Sequence, residues 1–312
     1  MCAITGYISV KDNPPPQLRR TFARLLMAGS CRGTDATGFM YPTKDTNQIF
    51  VVKCPGGPPN VIESIPDYCP RWMVGHNRQQ TGGPPADNRN NHPVVYRNWG
   101  LVHNGQVRKV LSSPPGGKLN YPKLAEVDTQ LLVETIGLLT RANWKPATAI
   151  CRGIPRYLNG SYACVAVDST SPNTLHLFRE TSPLVLAYDT KLETIFLAST
   201  PGILHQALGE EIQYLDGLFS SNEIPESIIF QAMEDRDYLR ITLGSNSLSW
   251  EGSSLEFPTY QPYNLSGHSN SIATQPSLLS GVNYKSGTGP VTPSSACTPK
   301  GYVEALYPDD FD

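Results

Sequence analysis

The chain opens with "MCAITGYISV", residues 1–10, in which a thiol directly behind the start methionine is followed by a short apolar run of the kind that makes a buried strand. Methionine ahead of a residue as small as cysteine is normally trimmed. The α-amino group then exposed has an unperturbed pKa of roughly 7.7–8.0. A general base works best near the operating pH, so an N-terminal cysteine carries a nucleophile and a base on one residue. Cys2 equally fits the role of a small core thiol. The rest of the sequence has to decide between the two.

The chain's 312 residues, with a net charge of −2, allow one large domain or two modest ones and contain no basic block. Phosphate-backbone affinity therefore has no obvious source, and no direct nucleic-acid binding is expected. No run of about 18 or more apolar residues occurs, and the N-terminus lacks the charged and apolar regions of a signal peptide. A cytoplasmic protein without membrane contact is the expectation. The cysteines at 2, 31, 54, 69, 151, 164 and 297 form no C-x-x-C pair and are odd in number, so reduced thiols are expected. The histidines include no H-x-x-x-H pair, and His76, His92 and His103 sit in stretches that read as turn-rich loops, so neither a metal nor a cofactor is expected.

Periodicity gives a coarse architecture. "CAITGYISV" and "NQIFVVK" read as strands, with "PPPQLRRTFARLLMAGS" between them as a helix whose stripe is Leu18, Phe22, Leu25 and Leu26. Further strands are "RWMVGHN", "NWGLVHN", "GSYACVAVD", "TLHLFR", "PLVLAYD" and "TIFLAS", and the helical interludes are "DTQLLVETIGLL" and "WKPATAICRGIPRYL". Strands in consecutive antiparallel-looking groups, with helices apart from them, argue for an α+β layered domain and against a doubly wound sheet. Past residue 245 the composition shifts: between Phe257 and Pro299 the only charged side chain is Lys285. The expected division is a domain over 1–245 and a Ser/Pro/Gly-rich, poorly structured arm or tail over 246–312, ending in a "GYVEALYPDDFD" that reads as a docking peptide or an untethered terminus.

Four further motifs bear on the thiol: "RGTDATG" (32–38), "GHNRQQTGG" (75–83), "HPVVYRNWGLVHNG" (92–105) and "EVDTQLL" around Asp128. Singly, each has a structural reading. The glycines fit turns, Asp128 fits the N-cap of the helix behind it, and Asn104-Gly105 is a common tight-turn pair.

In this order and together with Cys2, the motifs resemble the class II glutamine amidotransferase domain of the N-terminal nucleophile hydrolases, over roughly residues 2 to 200. The glutaminase domains of glucosamine-6-phosphate synthase and amidophosphoribosyltransferase are closest in style. The resemblance implies a four-layer αββα sandwich and hydrolysis of the side-chain amide of L-glutamine through a thioester on Cys2. It assigns the oxyanion to the Asn104 side-chain amide and the Gly105 N–H, the substrate α-carboxylate to Arg78 and its α-ammonium to Asp128. Thr81 is implied as a further hydrogen-bond partner near the carboxylate, and Arg32 as a brace of the loops around Cys2. The residue types suit the task, since a free amino acid needs a guanidinium fork and a carboxylate at fixed separation.

Two positions depart from the pattern: Ala3 stands where relatives usually have glycine, and Gln79 where they often carry an aromatic residue. Loops around 55–70 and 82–92 fit a lid or a partner surface. No pyrophosphatase or Walker A loop follows, so the resemblance implies an ammonia-releasing subunit or domain that serves a partner synthase. The wording "RGTDATG" is similar to that of stand-alone members encoded by bacteriophages, which implies amidation of a nucleotide or DNA base. Two alternatives stay open: a stand-alone γ-glutamyl amide hydrolase, and a catalytically silent binding or virion protein of the same fold. The oligomeric state is left open as well.

Overall fold

A computed structural model of the chain describes residues 1–44, 48–209, 228–257 and 302–306. Within them lie the strands β1 (Ala3–Ser9), β2 (Ala36–Pro42), β3 (Ile49–Pro55), β4 (Trp72–Arg78), β5 (Val94–Tyr96), β6 (Trp99–Val110), β7 (Leu158–Asp168), β8 (Thr174–Glu180), β9 (Val185–Asp189), β10 (Thr194–Ala198), β11 (Ile228–Ala232), β12 (Asp237–Gly244), β13 (Ser247–Ser254) and β14 (Tyr302–Leu306). The helices are α1 (Gln17–Gly29), α2 (Pro59–Ile62), α3 (Thr129–Arg141), α4 (Pro146–Thr148), α5 (Ile154–Tyr157) and α6 (Pro201–Leu208), with a π-helical turn, Ala149–Gly153, between α4 and α5.

Two antiparallel sheets carry the fold. One runs β11-β9-β10-β1-β4-β2-β3-β14 and the other β13-β12-β8-β7-β6-β5. Every residue of β1 is buried because both faces of the strand are covered. Its alternation sorts the layers. Ala3 and Tyr7 join Phe22, Leu25 and Leu204 in the core under α1 and α6, whereas Ile4 and Ile8 join Trp72, Val102, Val165 and Leu197 between the sheets. A third core, with Trp99, Leu132, Ile136, Tyr162 and Phe178, lies between the second sheet and α3. The layers are therefore α, β, β, α, as the resemblance implied. Leu18, Phe22, Leu25 and Leu26 are all buried, as read from the stripe of α1, while α3 is buried on every side from Thr129 to Leu139.

Three features differ from the sequence reading. Gly38, read as a turn residue, stands in the middle of β2, where a Cβ would lie 2.2 Å from the His92 carbonyl oxygen; the close approach of that backbone, not a turn, calls for glycine. Asn104-Gly105 is likewise no turn but part of the long β6, and His76 and His103 lie in β4 and β6, not in loops. A hairpin of β12 and β13 turns at residues 245–246, so the second sheet continues through Ser254 and the first compact unit through Phe257. β14, from the acid- and aromatic-rich C-terminal stretch, pairs antiparallel with β3. The rest of the expected tail, 258–301 and 307–312, lies outside the described residues.

Candidate active site

The N-terminal end of β1 meets the C-terminal end of β4 because the two strands pair with Ala3 opposite Asn77. Cys2 is consequently half-buried beside Gln79: the Gln79 N–H lies 3.4 Å from Cys2 Sγ and the Gln79 carbonyl 3.5 Å from it. Burial pushes the Cys2 thiol above its ordinary value. The Gln79 N–H, the chain's amino terminus and the Arg78 guanidinium oppose that push, and the Asp128 carboxylate adds to it. Both charged residues assigned to the substrate thus act on the thiol from nearby.

Arg78 is only 2% exposed. Its guanidinium donates to Asn91 Oδ1 at 3.0 Å, to the Gly83 carbonyl at 2.7 Å and to the Gly82 carbonyl. The guanidinium is therefore held by oxygen atoms of the loop behind β4. Asp35 fastens the start of that loop: its N–H donates to the Arg78 carbonyl at 2.9 Å, and its carboxylate accepts from Gln80 N at 2.7 Å and Gln79 Nε2 at 2.9 Å. Arg32 Nε donates to the Cys2 carbonyl at 2.7 Å. Thr81 is exposed on the same loop.

From the second sheet, β6 brings Asn104 and Gly105. The Asn104 amide donates to Ser199 Oγ at 3.3 Å, and that oxygen also accepts from Ile4 N at 2.8 Å, which ties β6 to the strand of the thiol. Gly105 has φ +142°, and a Cβ there would come within 2.0 Å of the Ser161 carbonyl oxygen, so no other residue fits. Asp128 stands at the N-cap position of α3 but makes no side-chain cap bond. Its Oδ2 accepts instead from Val107 N at 2.6 Å, two residues beyond Gly105, and its Oδ1 lies 3.9 Å from His103 Nδ1. The helix-capping reading of Asp128 is not what the geometry shows.

Three contributors escaped the sequence reading. Asp35 lay inside a quoted motif without a role, and Asn91 and Ser199 sit at the ends of otherwise ordinary segments. No spacing rule marks such residues, since each acts through a partner distant in sequence. Among the described residues no group of three or more His, Cys, Asp or Glu side chains is placed to hold a metal ion, and no helix is long and apolar enough to cross a membrane.

No protein-family model matches the chain. The chain is 28% identical over 201 residues to the glutamine–fructose-6-phosphate aminotransferase (isomerizing) of Wigglesworthia glossinidia brevipalpis, covering 60% of this chain and 30% of that protein. It is 26% identical over 277 residues to the enzyme of the same name from Listeria monocytogenes serovar 1/2a, covering 85% and 42%. The chain thus spans well under half the length of these relatives. In fold it is similar to glutamine phosphoribosylpyrophosphate amidotransferase from B. subtilis, with a TM-score of 0.56 and 14% identity over 82% of this chain and 50% of that one. The likeness in sequence and fold is to the class II glutamine amidotransferase domain that the ordered motifs implied.

Proposed function

We propose that this chain, similar to class II glutamine amidotransferases of the N-terminal nucleophile type, hydrolyses L-glutamine on Cys2 and hands the ammonia to a partner synthase. The observation that carries the reading is convergence. Cys2, Arg78 and Asp128, far apart in sequence, influence one another electrostatically at one end of the sandwich, and Asn104 is tied to the same strand through Ser199.

In this reading Met1 is removed and the freed amine of Cys2 takes the thiol proton, directly or through a water. Sγ bonds to the amide carbon, and the resulting oxyanion is held by the Asn104 amide and the Gly105 N–H, donors worth roughly 3–4 kcal/mol each. The carbon–nitrogen bond then breaks, ammonia leaves with the proton from the amine, and a γ-glutamyl thioester remains. Water cleaves that thioester to glutamate and regenerates the thiol. Arg78 receives the substrate α-carboxylate by exchanging the Gly82 and Gly83 carbonyls for it, and Asp128 receives the α-ammonium. The proposed roles of Thr81, a hydrogen bond to the carboxylate, and of Arg32, a brace on the Cys2 carbonyl, complete the pocket.

One observation favours a second reading, hydrolysis of an N-substituted γ-glutamyl amide without a partner. Gln79, standing where relatives often carry an aromatic residue, is exposed and held sideways by Asp35, which leaves that wall of the pocket open.

Intact-protein mass spectrometry before and after treatment with diazo-oxo-norleucine tests the proposal. Loss of Met1 and one adduct on Cys2 support it; a retained Met1 with no adduct leaves the amine blocked and overturns it. Comparing ammonia release from glutamine and from γ-glutamyl anilides separates the two readings.

A further inference from the structure

Next to Asp128 the chain buries a group of polar side chains, drawn from β4, the residues before β5, β6 and the start of α3, that the proposed reaction does not use. His76, His92, His103 and Thr129 are 1%, 5%, 3% and 0% exposed, so their polar atoms are out of reach of bulk water. His76 Nε2 lies 2.9 Å from the His103 carbonyl, and its ring stacks on that of His92 with centroids 4.0 Å apart. The Lys53 ammonium, itself buried, donates to the Pro93 carbonyl at 3.1 Å beside His92. At the centre is the Thr129 hydroxyl, 2.7 Å from His92 Nε2 and 3.0 Å from His103 Nδ1.

A hydroxyl has one hydrogen, so at least one of the two rings must donate to it. The nitrogen of His103 that meets Thr129, Nδ1, is also the one 3.9 Å from Asp128 Oδ1. Thr129 therefore joins His92 to the ring that lies beside the carboxylate. Asp128 itself is bonded to Val107 N, not to its own helix.

We propose that Thr129 is a positioning residue: by bridging His92 and His103 it fixes the ring that flanks Asp128, and so sets the carboxylate where the substrate's α-ammonium binds. This rests on the glutaminase reading above. A role in substrate binding predicts an effect on KM, because the ammonium is held alike in the ground and transition states. A role in packing alone predicts lower stability with unchanged kinetics.

The test is Thr129→Val, which keeps the shape and removes the hydroxyl, with Thr129→Ser as the variant that restores it. Loss of a hydrogen-bonded support to a charged group is expected to raise KM for glutamine roughly ten- to a hundredfold. Expected with it are kcat within about threefold of the parent and a near-parental KM for Thr129→Ser. Nitrogen-15 NMR of the imidazoles gives an independent readout: the His103 and His92 signals are expected to change together in Thr129→Val and to return toward the parent in Thr129→Ser. A parental KM in a folded Thr129→Val, or His103 and His92 signals unchanged by it, overturns the assignment while leaving the glutaminase reading in place. Absence of glutamine turnover by the trimmed parent protein overturns the reading, and the assignment with it.

Discussion

The strand β1 joins two regions of opposite character, about 23 Å apart for seven extended residues. At its start, Cys2, Arg78, Asn104 and Asp128 gather on polar contacts that cross between sheets. At its far end Val10 opens into an apolar cavity of about 750 Å³, lined by Leu186, Tyr188, Ile195, Met233, Tyr238 and Trp250 among others. The first is occupied by charged and amide groups held by backbone; the second is a cavity lined by side chains with few polar partners. The difference teaches that directed hydrogen bonds rather than concavity mark where chemistry is expected. Concavity alone would point to Val10, but the Cys2 thiol lies at the other end.

The sharpest test of that contrast is Cys2→Ala, for which glutaminase activity is expected to fall to the assay background while far-UV circular dichroism stays parental; retained activity would sink the mechanism. Asn104→Ala follows, with kcat expected to drop about 10²- to 10³-fold, as for removal of one oxyanion donor elsewhere. Because Asn104 also donates to Ser199, its thermal midpoint should be measured alongside. Arg78→Ala is expected to raise KM for glutamine roughly ten- to a hundredfold. An unchanged KM would remove Arg78 from the pocket.

The same contrast explains what could be read from the sequence. Cys2, Arg78, Asn104-Gly105 and Asp128 are residue types whose chemistry is explicit, and their order along the chain suffices to suggest a site. The strands with apolar alternation, and α1 with its stripe, were legible for the reason that their burial is one-sided or complete. Residues that act through a distant partner were not: Ser199 becomes informative only once Ile4 and Asn104 are seen on either side of it. Nor was the β12–β13 hairpin, since β13 is an exposed edge strand whose sequence, "SLSWEGSS", carries little apolar signal. β2 was missed because Gly38 looks like a turn until the His92 carbonyl above it is known.

Buried histidines at both ends offer a prediction of intermediate size. Burial lowers His76 to about 3 near the site and His176, hydrogen-bonded to Tyr238 OH at 2.7 Å near the cavity, to about 4, both from an ordinary value of 6.5. Folding therefore favours their neutral forms. The unfolded chain binds protons first as pH falls, so the contribution is complete above pH 6.5 and is lost toward those lowered values, at about 1.4 kcal/mol per pH unit for each ring. Thermal midpoints are expected to decline between pH 6.5 and 4.5. Replacing His176 by Gln should flatten that decline without moving KM; an equally steep decline in His176→Gln would show that this ring is not one of those titrating.

The smallest expected effect belongs to Trp250, 68% exposed on β13 opposite Ile241 of β12. Truncating an exposed side chain at a sheet edge removes little buried area, so Trp250→Ala should change stability by less than about 0.5 kcal/mol. Glutamine kinetics should be unaffected, because the path from β13 to Asn104 crosses β12, β8 and β7, each held by its own ladder of backbone pairs. A several-fold change in kcat or KM would break the comparison: it would mean that the apolar end reports to the thiol through those ladders or along β1, and that the two ends act as one device.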